Sequence, residues 1–303
     1  MSSAVMLTTA LLLCPLLPGI INRVKAKAGG RRGPPLLQRY YDIFKLARKD
    51  LVYSETATWL FRACPVAVLG AGLAAACLTP MGGGAALISF HGDFLIWAGA
   101  FTLARAVMVL AALDVGSSFE GMGGSREAWF AVLAEPALFL AMATLAVISG
   151  DLSLSGFFLS LTPEVTAKYF MAMLFAGIAL LLVALAENSR IPVDDPATHL
   201  ELTMIHEVMV LDHSGPDLAL IEYGSALKLW VMGALAVGTM VPVGIGSAWL
   251  DGTVFLGGMA VYAVVIGCVE SGMARLRLVR VPQFLVGAAV LSAIALILVA
   301  RAA

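Results

Sequence analysis

The chain has 303 residues, of which 60% are hydrophobic and only 13% are charged; soluble domains carry roughly 25% charged residues. This composition excludes a soluble globular protein and predicts an all-α integral membrane protein, because hydrocarbon requires every backbone group to be hydrogen-bonded within the protein. We expect the lipid bilayer as its surroundings and no nucleic acid as a partner.

Apolar runs recur along the whole chain, and each is long enough to cross a bilayer, which takes about 20 residues. The predicted spans are 4–21, 59–79, 94–113, 128–148, 168–186, 218–241, 252–273 and 282–301. The connecting loops are too short to bury a core of their own. We therefore predict eight transmembrane helices in a single polytopic domain over residues 1–303.

Lys and Arg concentrate in the loop 22–58, between the first two spans. Placing this loop in the cytoplasm puts most other Lys and Arg residues on the same side, as the positive-inside rule requires. We expect a prokaryotic inner membrane with both termini periplasmic, and the first span as an anchor rather than a cleaved signal peptide. Gly29, Gly30, Gly33 and Pro34-Pro35 predict that this loop is a defined turn rather than a helix.

The segment 187–222 holds eight of the twenty acidic residues and three of the four histidines. Pro192 and Pro196 end the fifth span soon after Arg190. Asp195 followed by Pro196 is a good helix start. We predict an amphipathic helix from there to about Leu211 in a cytoplasmic loop.

The three histidines of this segment, His199, His206 and His213, are seven residues apart. On a helix this spacing separates them by about 10 Å, too far for two of them to share a metal ion. We expect no metal site, and both proton relay and plain polar packing stay open for these side chains.

Ionisable residues inside a span cost roughly 3 kcal/mol or more at the bilayer centre. Glu135, Glu187 and Glu222 lie in or at the ends of predicted spans, and we interpret them as steps of a proton path. The alternative is that such charges pair and fix helix packing, and for Arg105 and Glu270 both interpretations stay open.

Two glycine-rich segments, 81–84 and 121–125, are interpreted as turns rather than as phosphate-binding loops, because no Lys-Ser/Thr follows them. The cysteines all lie in apolar runs and are interpreted as small packing residues. They are Cys14, Cys64, Cys77 and Cys268.

Two motifs resemble a known family. The first loop, RVKAKAGGRRGPPLLQRYYDIFKLARKD, is similar to the loop after the first span of complex I subunit 1, the membrane subunit beside the quinone cavity. The segment AENSRIPVDDP resembles the turn that follows the fifth span in that family. The order and spacing of the two loops also agree, so the resemblance covers almost the whole chain.

The continuation THLELTMIHEVMVLDHSGPDLALIEY resembles one branch more closely, the group 4 membrane-bound hydrogenases of the formate hydrogenlyase and hydrogenase-4 type. The resemblance implies a subunit without its own cofactor. It would anchor a cytoplasmic arm made of hydrogenase large and small subunits and a ferredoxin-like iron–sulfur subunit, with the iron–sulfur clusters and the nickel–iron site in those partners. It would also join the arm to antiporter-like membrane subunits.

The resemblance also implies roles for individual residues. The residues implied in proton coupling are Glu135, Glu187, Asp194, Asp195, Glu201, Glu207 and Glu222. Those implied in docking the arm are Arg23, Lys25, Arg31, Arg32 and Arg190.

Two other functions stay open: a quinone-site subunit of a complex I-like NADH:quinone oxidoreductase, and a free-standing secondary transporter. The second lacks the internal repeat typical of transporters. Charged groups at the cavity mouth, namely Asp194, His199 and Glu201, disfavour an apolar quinone tail. We therefore expect quinone to be neither a substrate nor tightly bound.

Overall fold

The computed structural model describes residues 3–194, 205–241 and 247–302, and all regular secondary structure in these ranges is helical. The helices are α1 Ser3–Leu13, α2 Leu16–Ala28, α3 Gln38–Ala47, α4 Trp59–Leu78, α5 Asp93–Asp114, α6 Ser118–Ser149, α7 Leu154–Leu159, α8 Pro163–Lys168, α9 Phe170–Glu187, α10 His206–Met209, α11 Gly215–Met240, α12 Ala248–Gly272 and α13 Val281–Ala302, with a 3-10 turn Leu278–Arg280 before α13. Within the described ranges, seven helices are long and apolar enough to cross a membrane, and the bent pair α1–α2 gives the eighth span. The predicted all-α membrane fold is confirmed.

The first span is bent by 47° between α1 and α2. Pro15 has no N–H, so the carbonyl of Leu11 has lost its helical donor. The Tyr223 hydroxyl donates to this carbonyl at 2.8 Å, and the Tyr40 hydroxyl donates to the Leu12 carbonyl at 2.5 Å. Two other helices, α11 and α3, therefore satisfy the backbone groups that the bend exposes.

The loop 22–58 is more helical than predicted. Helix α2 continues through Ala28, and a further helix, α3, occupies Gln38–Ala47. Only the glycines and prolines between them form the predicted turn, in which Gly30 has a φ of 65°. The prediction failed because the sequence QRYYDIFKLA contains no Gly or Pro and is free to form a helix.

Helix α6 begins at Ser118, well before the predicted start of the fourth span at residue 128. The glycines of 121–125 are helical, so their interpretation as a turn is wrong. A Cβ at Gly123 would lie 2.8 Å from the Ile205 carbonyl oxygen. Glycine there permits the segment before α10 to pack against α6. The other glycine-rich segment, 81–84, is a turn as predicted, with positive φ at Gly82 and Gly83.

The bundle is built around α11, whose transmembrane window is the most buried of the spans found in the described ranges, at 72%. Small side chains at the helix contacts let the backbones approach closely. Membrane helices associate by such packing, because lipid is as apolar as the side chains and gives no hydrophobic driving force between helices. At one end of the bundle α2, α5, α9 and α12 finish and α4, α6, α11 and α13 begin. We call it the charged end, because it carries the loops 29–58, 188–214 and 273–280.

Candidate functional site

A buried arginine is the centre of a charge network below the charged end. Arg105 of α5 has a side chain that is only 9% exposed, and it pairs with three carboxylates. Its guanidinium nitrogens lie 3.5 Å from Glu127 and 2.8 Å from Glu135, both on α6, and also bind Glu187 at the end of α9. One guanidinium, with its fixed fork of donors, thus joins three helices.

Glu187 has a second cationic partner. Lys228 of α11 places its Nζ 2.8 Å from the Glu187 carboxylate and 5.7 Å from the centre of the Phe101 ring. The network therefore contains two cations and three carboxylates. With every group ionised it has one negative charge in excess, so its charge balances when it holds one proton.

A cavity of about 60 Å³ adjoins the network. Its wall is partly apolar, and its ionisable side chains are Arg105, Glu127, Glu187, His206 and Lys228. Each water needs about 10–15 Å³ on this measure, so the cavity has room for about four. Pockets for organic ligands are larger, typically about 300 Å³ or more. Among the described residues, the lining suits a short chain of waters between ionisable groups.

A second ionic cluster lies between α2, α12 and the loop after α9. The Glu270 carboxylate, with no exposed side-chain surface, lies 2.8 Å from Lys25 Nζ and 3.5 Å from Arg190. Burial lowers the pKa of the Arg190 guanidinium, and the neighbouring Glu270 carboxylate opposes that shift. Nearby, Arg39 of α3 pairs with Glu222 of α11 at 2.6 Å. These pairs connect helices and carry no excess negative charge.

Asp194 connects the residues after α9 with the start of α10 and with the loop after α12. Its carboxylate accepts hydrogen bonds from the backbone N–H groups of Ile205 (3.1 Å) and His206 (3.3 Å) and pairs with Arg275 at 2.6 Å. The Leu276 N–H donates to the Pro192 carbonyl at 2.9 Å. The loops after α9 and after α12 are therefore joined through Asp194 and this backbone bond.

The structure brings together only some of the residues that the sequence predicted for proton coupling. Glu135 and Glu187 meet at Arg105, although they are isolated along the chain. Glu222 pairs with Arg39, outside this network. Glu207 lies on the short helix α10, next in sequence to His206, which lines the cavity. Asp195 and Glu201, together with His199 and most of the predicted amphipathic helix, lie outside the described residues.

Sequence reasoning missed Glu127 and the role of Lys228. Glu127 escaped because the fourth span was predicted to begin just after it, so it was assigned to a loop. Its position in α6, about two helical turns before Glu135, would have been visible had the glycines of 121–125 been accepted as helical. Lys228 lies inside a span, and its partner Glu187 is distant in sequence.

Of the residues predicted to dock an arm, Arg31 and Arg32 are exposed at the charged end. Arg23 donates to the Pro34 carbonyl at 3.4 Å on the surface. Lys25 and Arg190 both face inward to Glu270. Of these five residues, Arg23, Arg31 and Arg32 are therefore the ones that lie on the surface.

The two described histidines of the acidic segment differ in surroundings. His206 lines the cavity, and burial lowers its pKa. His213 stacks on Phe61 with ring centres 3.9 Å apart, and burial lowers its pKa to about 4. Within the described ranges, no group of three His, Cys, Asp or Glu side chains comes together in a way that holds a metal ion.

Two known proteins are similar in sequence to this chain over most of its length. The chain is 30% identical to formate hydrogenlyase subunit 4 of Escherichia coli over 284 residues, covering 89% of each chain. It is 32% identical to hydrogenase-4 component C of Escherichia coli over 237 residues, covering 77% of this chain and 73% of that one.

The fold also matches a solved structure, that of the membrane-bound sulfane sulfur reductase, an archaeal respiratory membrane complex. A chain of that complex aligns with a TM-score of 0.84 at 18% identity, over 98% of both chains. The family model described as NADH dehydrogenase matches residues 1–301. The resemblance carried by the two loop motifs is confirmed, and the chain belongs to the NADH dehydrogenase family of membrane proteins.

Proposed function

We propose that this chain is the membrane anchor and proton-coupling subunit of a multi-subunit hydrogenase of the formate hydrogenlyase type. The similarity to formate hydrogenlyase subunit 4 and hydrogenase-4 component C supports the type of complex. The observation that carries the coupling role is the Arg105 network, with its excess carboxylate and adjoining cavity. The chain acts as one membrane domain over residues 1–303, in a prokaryotic inner membrane with both termini periplasmic.

The network offers a route for a proton from the cavity toward the middle of the membrane. Glu187 and Glu127 face the cavity, and Glu135 lies about 12 Å farther along α6 at 1.5 Å per residue. A carboxylate that takes a proton releases its hold on Arg105, and the guanidinium then binds the remaining two more closely. Protonation at one end of the network in this way changes the ion pairing at the other.

Glu135 marks where the route leaves this chain. Its side chain is 34% exposed on the outer surface between α5 and α6, where Thr102 donates to it at 3.1 Å. A carboxylate facing lipid in the middle of a span is costly. An antiporter-like membrane subunit that covers this surface would shield the carboxylate and receive the proton.

The basic surface formed by Arg23, Arg31 and Arg32 docks the hydrophilic arm on the cytoplasmic side. The partners there are the hydrogenase large and small subunits and a ferredoxin-like subunit, and these hold the iron–sulfur clusters and the nickel–iron site. Reversing the charges of Arg31 and Arg32 to Glu should release the arm and leave this chain in the membrane. Undiminished co-purification of the arm would contradict this docking surface.

The second candidate function is the quinone-site subunit of a complex I-like oxidoreductase, which the name of the matching family favours. The small volume of the cavity, about 60 Å³, and the four charged side chains in its wall argue against it. Two measurements on the purified complex decide between them: the identity of its subunits, and its activity with a soluble quinone analogue and a quinone-site inhibitor. The hydrogenase proposal expects a hydrogenase large subunit and no inhibitor-sensitive quinone reduction; inhibitor-sensitive reduction would overturn it.

A further inference from the structure

Helix α3 has an outward face that neither the helix bundle nor the charge network uses. Its inward side packs on α11 through Arg39, which pairs with Glu222, and reaches α1 through Tyr40, which donates to the Leu12 carbonyl. On the outward side Tyr41 and Phe44 are each 59% exposed, and Lys45 and Arg48 beside them are exposed as well. Large aromatic side chains at this exposure, next to cations, indicate a surface that binds something other than water.

The beginning of α3 lies at the level of the first span rather than beyond it. The carbonyl of Leu36 contacts α2 at Gly19, where a Cβ has no room, and Tyr40 reaches the carbonyl of Leu12. At 1.5 Å per residue Gly19 lies about 13 Å before the end of α2, and Leu12 lies farther from that end, in α1 before the bend. Leu12 itself is 71% exposed. The outward face at this end of α3 is therefore directed sideways, toward acyl chains.

The other end of α3 lies at the charged end. The carbonyl of Asp50 is against Gly215, where α11 begins. Arg39, near the start of α3, pairs with Glu222 about 10 Å farther along α11. Helix α3 thus runs beside α11 from inside the span to its boundary.

The exposed side chains change along that direction. Leu36 and Leu37 come first, then Tyr41 and Phe44, and finally the cations. The cations are Lys45, Arg48 and Lys49, all exposed. Apolar, aromatic and basic side chains in this order match the acyl, interfacial and phosphate layers of half a bilayer.

We propose that this face of α3 is a binding site for an anionic phospholipid. The acyl chain lies along Leu37, Tyr41 and Phe44, and the phosphate binds Lys45 and Arg48. The Arg48 guanidinium lies 4.1 Å from the centre of the Phe44 ring, which holds it at the level where a phosphate would be. A zwitterionic lipid would leave these cations uncompensated, and a soluble protein would have no access to the apolar half of the face.

The test uses the purified complex carrying Phe44→Trp as a reporter. The emission of the parent complex at the same lipid content is subtracted, which removes the signal of the native tryptophans, five of them in this chain. The complex is equilibrated in mixed micelles with phosphatidylglycerol or phosphatidylcholine brominated on the acyl chains. Both lipids should quench the added emission, and phosphatidylglycerol should quench at the lower mole fraction. Neutralising Lys45 to Gln in the reporter should weaken that preference about fivefold.

A matched control neutralises Lys27, which is exposed in the same loop but outside α3, and should leave the preference unchanged. Tyr41→Trp serves as a second reporter if Phe44→Trp does not assemble. Equal quenching by the two lipids overturns the anionic site. Absence of quenching in both reporters overturns the lipid face altogether, and loss of a protein subunit when Lys45, Arg48 and Lys49 are reversed would assign the face to that subunit instead.

Discussion

The two ionic clusters near the charged end use the same kinds of side chain in opposite proportions. Around Arg105 three carboxylates share one guanidinium and a lysine, and a cavity opens beside them. Around Glu270 one carboxylate is shared by two cations. An excess of carboxylate with room for water leaves a place for a proton, whereas an excess of cation does not. In the proposed function, the Arg105 cluster transfers protons and the Glu270 cluster holds helices together.

The largest effect is expected from removing the centre of the first cluster. Arg105→Leu leaves three partly or fully buried carboxylates with Lys228 alone, and breaking a buried ion pair in this way costs about 3–5 kcal/mol. We expect little assembled complex in the membrane, measured by immunoblot after native electrophoresis. Arg105→Lys should restore part of the assembly, because lysine keeps the positive charge but lacks the fixed fork of donors of the guanidinium. Normal assembly of Arg105→Leu would show that the complex does not depend on the ion pairs of Arg105.

The second cluster should respond differently. Glu270→Gln leaves the buried Arg190 and the half-buried Lys25 beside a neutral amide, with a cost in stability of about 3 kcal/mol. The thermal midpoint of the purified complex should fall, while the complex that survives should translocate protons normally per turnover. A coupling defect at unchanged thermal stability would show that Glu270 takes part in proton transfer. The proposed difference in function between the two clusters would then be wrong.

A smaller effect concerns His213, a buried polar group outside both clusters. Its folded pKa of about 4 lies below the ordinary value of 6.5 because burial disfavours the imidazolium. The unfolded chain therefore binds a proton that the folded chain excludes, and stability from this residue is lost as the pH falls from about 6.5 toward 4.

His213→Phe keeps a ring stacked on Phe61 and removes the titration. The thermal midpoint of this variant, measured from pH 7 to pH 4.5, should fall less steeply than that of the parent chain. Parallel pH profiles would contradict the assignment of this loss of stability to His213 and would attribute it to other titrating groups.

The spans were predictable from sequence because a membrane helix needs only length and apolarity, and both are visible locally. Helix α3 was not predicted because glycines and prolines on its N-terminal side suggested that the whole loop was a turn. The pairing of Arg105 with Glu187 could not be predicted, since 82 residues separate them and only the packing of α5 and α9 against α6 brings them together. Each residue had a visible anomaly, a charge in an apolar run, but sequence alone does not say which charges meet.

The most direct measurement of the central claim is proton uptake or release by the complex in sealed vesicles, per turnover of hydrogen chemistry. Glu187→Gln and Glu135→Gln keep the size of the side chain and remove the titrating group, and Glu164→Gln, at an exposed acid on α8, is the matched control. The account predicts assembled complexes in which both network variants lose most of the proton gradient while the control keeps it. Gradients equal to that of the parent in both network variants would show that the Arg105 cluster is structural.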